Sequence, residues 1–313
     1  MDKRELGTTG LQVTPLCVGT SPLGNFPSQY GYEVGEDQAV ETVLSVLGGP
    51  LNFMDTSNNY GDGESERRIG KALAEAGGPP PGFVLATKVD PLPGSEDFSG
   101  ERVRASVHES LERLGLDRLQ LVHLHDPERI SFEEATAPDG AVQALVDLQQ
   151  EGLIEHLGVA GGPIDLMLRY LQLDVFAAVI SHNRYTLVDS SAEPLIADAA
   201  SRGVAFLNAA PYGGGMLVRG PQAVPNYCYQ PASAQVISRV EAMQQACQRH
   251  GVPLAAAALQ FSLRDERVAS TIVGMSTPQR VAQTTALAEH PIPEELWSQL
   301  LELAAEGRSG VGL

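Results

Sequence analysis

Short apolar runs alternate along this chain with longer stretches whose apolar residues recur every three or four positions. The first pattern reads as buried strands and the second as amphipathic helices. Leu16–Gly19 is the first strand-like run, and Glu36–Leu47 is a helical stretch stopped by Gly48-Gly49-Pro50. The alternation continues with a strand at 52–55, a helix at 64–76, a strand at 83–88, a helix at 100–114 and a strand at 119–125. A helix at 141–151, a strand at 154–159, a helix at 164–171, a strand at 178–182, a helix at 193–201 and a strand at 204–207 follow. Helices at 232–249 and 253–263, a strand at 268–273, and helices at 278–288 and 294–305 complete the pattern. Ahead of it, residues 5–15 predict a short hairpin with Gly7, Thr8, Thr9 and Gly10 at the turn.

Eight strands with helices between them predict an α/β fold of one kind, a (β/α)8 TIM barrel with an N-terminal β-hairpin and extra helices at the C-terminus. An open doubly wound sheet is the competing architecture. It calls for Gly-x-Gly-x-x-Gly after the first strand, whereas the chain has Gly19-Thr20-Ser21-Pro22-Leu23-Gly24 there, and Gly213-Gly214-Gly215 comes too late. No Ser-rich or like-charged linker divides the sequence, so residues 1–313 are expected to form one barrel domain. The Gly-, Pro- and Tyr-rich segment 211–231 is long for a connection, which marks it as functional.

Three successive strands end in chemistry. Asp55, Lys88 and His125 lie at the C-terminal ends of the second, third and fourth, and Tyr60 lies in the loop just past the second. Barrel enzymes build their sites at that face, and neighbouring strands are only ~5 Å apart. A tyrosine is a poor base at neutral pH, and a nearby ammonium favours its phenolate. Lys88 can play that part for Tyr60, with Asp55 holding Lys88 charged and His125 addressing a substrate oxygen. Each residue has a plainer reading alone: Asp55 as a turn cap beside Thr56 and Ser57, Tyr60 as a packed loop aromatic, His125 as a structural imidazole. His123 competes with His125 because it shares its strand face. Lys88 is the hardest to explain away, since an unpaired buried ammonium is costly.

Composition narrows the partners. Hydrophobic residues make up 43% and charged residues 19% of the chain, and its formal net charge is -18. That balance opposes nucleic acid or an anionic membrane as partner, because both need a basic face. Cys17, Cys228 and Cys247 are odd in number and far apart, so neither a disulfide framework nor a metal site is expected. The Met-Asp-Lys-Arg-Glu-Leu start has no apolar signal core, and a reduced, cytoplasmic setting is expected. A monomer or small homo-oligomer acting on a small molecule fits these properties.

The motifs resemble the aldo-keto reductase superfamily over essentially the whole chain. The carrying segments are Asp55-Thr56-Ser57-Asn58-Asn59-Tyr60-Gly61, Thr87-Lys88 and His125-Asp126-Pro127, joined by Gly63-Glu64-Ser65-Glu66-Arg67-Arg68-Ile69-Gly70, Gly158-Val159 and Thr277-Pro278-Gln279-Arg280. The resemblance implies a catalytic tetrad of Asp55, Tyr60, Lys88 and His125, and it selects His125 over His123. It also implies a nicotinamide cofactor, NADP or NAD, bound without a Rossmann domain. The cofactor-binding residues it implies are Gly19, Thr20, Asn183, Tyr212, Gly213, Gly274, Ser276, Thr277 and Arg280. Asn183-Arg184-Tyr185-Thr186-Leu187-Val188-Asp189 and Tyr227-Cys228-Tyr229 are most similar to the branch of D-threo-aldose 1-dehydrogenase, L-fucose dehydrogenase and L-galactose dehydrogenase. That branch implies hydride transfer at C1 of an aldose, giving a lactone. Reduction of other aldehydes or ketones, including pyridoxal-like ones, and a non-catalytic cofactor-binding role are the alternatives.

The chain departs from the family pattern where the cofactor binds. Ala160-Gly161 replace a Ser-Asn pair, His182 replaces a Gln, Ala209 replaces a stacking Tyr, and Gly274-Met275 replace a Lys-Ser pair that grips the 2′-phosphate of NADP. Gln283-Thr284 replace a Glu-Asn pair after Arg280. A missing phosphate-binding lysine weakens selection for NADP, because charge-assisted bonds to phosphate are the strong ones. Tyr212, Tyr227 and Tyr229 are expected either to cover a sugar or to pack the 211–231 loop against the barrel.

Overall fold

Eight parallel strands close on themselves in a computed structural model of the chain, which describes residues 1–228 and 230–306. They are β1 (Leu16–Gly19), β2 (Phe53–Asp55), β3 (Val84–Val89), β4 (Leu119–His125), β5 (Ile154–Gly161), β6 (Ala178–His182), β7 (Ala205–Ala209) and β8 (Val268–Gly274). Neighbours in sequence are neighbours in space, and β8 pairs with both β1 and β7 to complete the ring. This is the (β/α)8 barrel that the alternating pattern predicts.

Helices wrap the strands: α1 (Glu36–Leu47), α2 (Glu64–Ala76), α3 (Gly100–Leu114), α4 (Ala141–Gln150), α5 (Ile164–Leu171) and α6 (Glu193–Arg202). Beyond β7 come α7 (Ala234–Arg249) and α8 (Leu254–Leu263), and beyond β8 come α9 (Pro278–Ala288) and α10 (Glu294–Glu306). Their ends follow the local chemistry. Ser99 and Ser233 accept from the third backbone amide of α3 and α7, and Gly77, Gly115 and Gly203 close α2, α3 and α6 in the left-handed conformation.

Strand alternation sorts the core into two layers. Inward-facing Cys17, Phe53, Val84, Leu121, Ala178 and Leu207 fill the barrel, while outward-facing Leu16, Val18, Met54, Leu85 and Val122 meet the helices. Burying each large apolar side chain stabilises the fold by about 1.5–3 kcal/mol. The hairpin of Arg4–Glu5 and Gln12–Val13 closes the N-terminal end, with Leu6 and Val13 entering the interior cluster. The Arg4 guanidinium fixes it by donating to the carbonyls of Leu263 and Val268, both at 2.6 Å.

Several predicted boundaries move by one to three residues. β5 runs on to Gly161 because its end pairs with Ser181 of β6, and β7 reaches Ala209 by pairing with His182. The 211–231 segment, expected as a loop, contains a 3-10 turn at Gly213–Gly215, a helical turn at Met216–Arg219 and a two-stranded ribbon of Asn226–Tyr227 with Gln230–Pro231. Met216 and Leu217 seat it in a separate apolar cluster with Val240, Met243, Trp297 and Leu300 of α7 and α10.

Candidate active site

Register delivers the reactive side chains to one rim. Gly19 pairs with Asp55, Lys88 with His123 and His125 with Ala160, so Asp55, Lys88 and His125 stand at the C-terminal ends of adjacent strands. They open onto a cavity of about 700 Å³ at that end of the barrel, together with Tyr60.

Lys88 is the hub. Its Nζ donates to Asp55 Oδ2 at 2.7 Å, to the Thr56 carbonyl at 2.6 Å and to Tyr60 Oη at 3.2 Å. Lys88 and Asp55 are almost wholly buried. Burial pulls the Lys88 ammonium down, and Asp55 and Tyr60 together outweigh it, so the amine stays charged. Burial pushes the Asp55 carboxyl up, with Lys88 acting against it. Burial likewise pushes the Tyr60 phenol well above its ordinary value, against the pull of Lys88. The expected lowering of Tyr60 by its neighbouring ammonium is therefore present and outweighed: the phenol keeps its proton.

The Tyr60 loop is held by close backbone contact. Gly61 has φ +64°, and a Cβ there would lie 1.9 Å from the Gly24 carbonyl oxygen, so only glycine lets the two loops meet. Behind the loop, Asn58 donates to the Ser106 carbonyl and Glu109, and the Arg113 guanidinium donates to the Asn58 carbonyl at 3.0 Å.

His125 lies with its ring edge-on to Tyr60, centroids 5.9 Å apart. Its Nδ1 is 2.7 Å from Asp90 Oδ1. Asp90 was not singled out from the sequence, although it follows Lys88 by two positions on the same face. His123 lies one layer below, fully buried. Its ring fills the space a Cβ at Gly158 would take, with Nδ1 2.2 Å from that position. Burial drives its imidazole far below the ordinary value. His125 meets the cavity and His123 does not line it.

Of the residues expected at the cofactor, Gly19, Asn183 and Gly274 line the cavity; Thr20, Tyr212, Gly213, Ser276, Thr277 and Arg280 do not. Thr20 is buried behind the rim, where its hydroxyl donates to the Asp55 carbonyl at 3.0 Å. Gly213 lies under the Tyr227 ring, which would sit 2.2 Å from a Cβ there. Tyr227 in turn bonds Thr186 at 2.7 Å. Tyr212 packs between two apolar clusters with its hydroxyl buried. These two tyrosines fasten the loop to the barrel, and Tyr229 lies outside the described residues. Besides Tyr60, aromatic surface in the cavity comes from Phe26 and Tyr30 in the segment after β1, where Pro27–Tyr30 form a helical turn; that segment has no periodicity and gave no sequence signal.

The residues suit a nicotinamide. Asn183 is buried, lines the cavity and leaves its Oδ1 without a partner among the described residues, an acceptor suited to a carboxamide. Its Nδ2 meets His182 Nδ1 at 3.2 Å. Gly161 and Gly274 give the same cavity bare backbone. Beyond Gly274, Thr277 caps α9 by accepting from the Arg280 amide at 3.0 Å, and the Arg280 side chain is exposed.

Residues 15–305 match the Aldo/keto reductase family. The chain belongs to that family. This aldo/keto reductase is 36% identical over 292 residues to the L-galactose dehydrogenase of Arabidopsis thaliana, covering 91% of the chain and 88% of that protein. It is 30% identical over 319 residues to the D-threo-aldose 1-dehydrogenase of a Pseudomonas species, covering 94% of each. These relatives fall in the branch its motifs resemble. A solved aldo-keto reductase from Bacillus halodurans, in holo form, superposes with a TM-score of 0.77 at 26% identity over 97% of this chain and 96% of that one. The enzyme is an NAD(P)-dependent oxidoreductase acting on a small molecule, and among the described residues no helix is long and apolar enough to cross a membrane.

Proposed function

We propose that the enzyme oxidises the C1 hydroxyl of a cyclic aldose to a lactone, and that Asp55, Tyr60, Lys88 and His125 are its catalytic residues. The observation that carries the choice of substrate is the mixed aromatic and polar lining of the cavity. Phe26 and Tyr30 offer aromatic surface to a sugar face, and Asn59, Asp126, Arg129 and His182 line the same cavity with groups that bond hydroxyls. A small apolar aldehyde would make none of these bonds and would gain no selectivity from them. The two sugar-dehydrogenase relatives point the same way.

The nicotinamide supplies the hydride acceptor or donor. The chain's own part is the proton. Tyr60 and His125 both line the cavity, and in this reading both address the substrate oxygen. In reduction, the protonated Tyr60 gives its proton to the forming alkoxide. In oxidation, the hydroxyl proton goes to a group that has given up its own: the phenolate form of Tyr60, which the Lys88 charge 3.2 Å away favours, or the neutral His125 ring. Kinetics with L-galactose, L-fucose and D-arabinose against simple aldehydes and pyridoxal test the substrate. An aldose is expected to lead in kcat/KM by about tenfold or more. Efficient aldehyde turnover with no aldose oxidised would sink the sugar reading in favour of a general carbonyl reductase.

NAD is expected to serve at least as well as NADP. Gly274 offers no side chain, the Met275 side chain is buried, and Arg280 is the cation left beyond β8 among the described residues for a 2′-phosphate. Arg280→Ala should raise the Kd for NADP about tenfold and leave that for NAD within about twofold, the scale of one charge-assisted bond. Fluorescence titration of both cofactors checks this; equal loss for both would remove Arg280 from phosphate recognition.

A further inference from the structure

Beneath His125 sits a carboxylate that the tetrad does not include. Asp90 follows β3, is 1% exposed, and directs both oxygens at the two halves of the site. Oδ1 meets His125 Nδ1 at 2.7 Å. Oδ2 accepts from the Ser57 hydroxyl and from the Asn59 amide at 3.2 Å, in the loop that carries Tyr60. The Asp90 backbone is itself fixed: its amide donates to Ser106 Oγ at 3.2 Å, and Arg102, paired with Glu109, donates to its carbonyl at 3.0 Å. A surface carboxylate has no such scaffold.

We infer that Asp90 is a positioning residue of the reaction, one that locks His125 with its Nδ1 proton turned inward and its Nε2 toward the substrate oxygen. The hydrogen bonds force the tautomer. Ser57 spends its only proton on Asp90, so its oxygen, 3.2 Å from His125 Nδ1, has only lone pairs left to offer. Two acceptors then face Nδ1, which must carry hydrogen. A neutral ring so held presents a lone pair at Nε2, and a protonated ring presents N–H. The proton leaving a substrate hydroxyl as the hydride departs can therefore pass to Nε2, with the new charge matched by Asp90; in reduction the same proton returns.

The other charges around the ring agree. Asp55 and Tyr60 face it from β2 and its loop, and Lys88 from β3. His123 and Asp126 belong to its own strand and the residue after it, with Asp126 Oδ1 3.7 Å from Nε2. β5 sets the uncharged Ala160 opposite His125, and β6 contributes His182. Burial works against the imidazolium and so does Lys88, but Asp90 and Asp126 outweigh them, and the ring holds its proton above the ordinary imidazole range. Asp90 itself is held below the usual carboxylate range despite burial, by His125 and Ser57. Removing the Asp90 charge must then lower the His125 value.

The inference rests on the placement of His125 at the substrate, and its test separates the two. Long-range proton–nitrogen NMR of the full chain, with His125→Gln for assignment, reads the ring directly. In the wild type, neutral His125 should carry its hydrogen on Nδ1 and titrate above ~6.5. Asp90→Asn keeps the volume and should weaken proton binding by tenfold or more, moving the acid limb of kcat/KM for oxidation to lower pH by the same amount. Ser57→Ala should leave the titration within about twofold, because the ion pair survives. An Nε2–H tautomer in the wild type overturns the inference even if Asp90→Asn fails to fold, and so does an unchanged titration in a folded Asp90→Asn. Expected NMR behaviour with no aldose oxidised would instead remove the sugar reading and leave the pair standing.

Discussion

Tyr60→Phe should lose about 10²–10⁴-fold in turnover, the usual worth of a positioned proton donor, while binding NAD(P) with unchanged affinity. The substitution removes one oxygen. The ring keeps its place beside Lys88, whose Nζ is 4.7 Å from its centroid, and edge-on to His125. The backbone of the loop is fixed independently, by the Gly61–Gly24 contact and the Asn58 bonds, so the fold around it has no reason to move. What disappears is the proton that burial keeps on the phenol and the hydroxyl that Lys88 polarises. Steady-state rates in both directions, with cofactor binding followed by fluorescence, check the result. His125 remains as a second proton group, so a small residual rate rising with pH in the oxidative direction is expected. Turnover equal to the wild type would remove Tyr60 from the mechanism.

The parts of this site differ in how openly the sequence displays them. Asp55, Lys88 and His125 end strands whose apolar runs are plain, so their shared rim follows once the barrel is recognised. Choosing His125 over His123 took a family motif, because period two places both on one face; the barrel separates them by a layer, and the Gly158 gap is what admits the lower ring. Asp90 has the same period-two relation to Lys88 and was legible in principle. Its value appears only through contacts to Ser57 and His125, far apart in sequence. The aromatic residues misled in the other direction. Tyr212 and Tyr227 stand in a conspicuous Gly-rich segment, but their side chains fill gaps against Gly213, Thr186 and the α7–α10 cluster, while Phe26 and Tyr30 reach the cavity from a loop with no pattern. Loop conformation is set by such long-range packing rather than by local periodicity.

Lys88→Met should cost both activity and about 3–5 kcal/mol of stability, the penalty for breaking a buried ion pair from one side. Methionine fills the stem's volume, so a simple cavity is not the cause. The loss falls on Asp55: its Oδ2 is left without the 2.7 Å ammonium contact, and its Oδ1 already has no partner among the described residues. Burial, now unopposed by Lys88, drives that carboxyl further up. The sign of the pH effect follows. A carboxyl whose folded value lies above its unfolded one, near ~3.9, binds its proton more tightly in the folded state. Its stabilisation is present at low pH and lost as pH rises through the folded value. Urea melts of Lys88→Met should therefore show stability falling from acid toward neutral pH relative to the wild type. The double variant Asp55→Asn/Lys88→Met should recover part of the loss, because an uncharged amide replaces the stranded carboxylate. It should not recover turnover, since Tyr60 loses its cationic neighbour in both. If the single and double variants melt alike at neutral pH, the stranded charge is not the source of the instability, and the pair's role narrows to holding Tyr60.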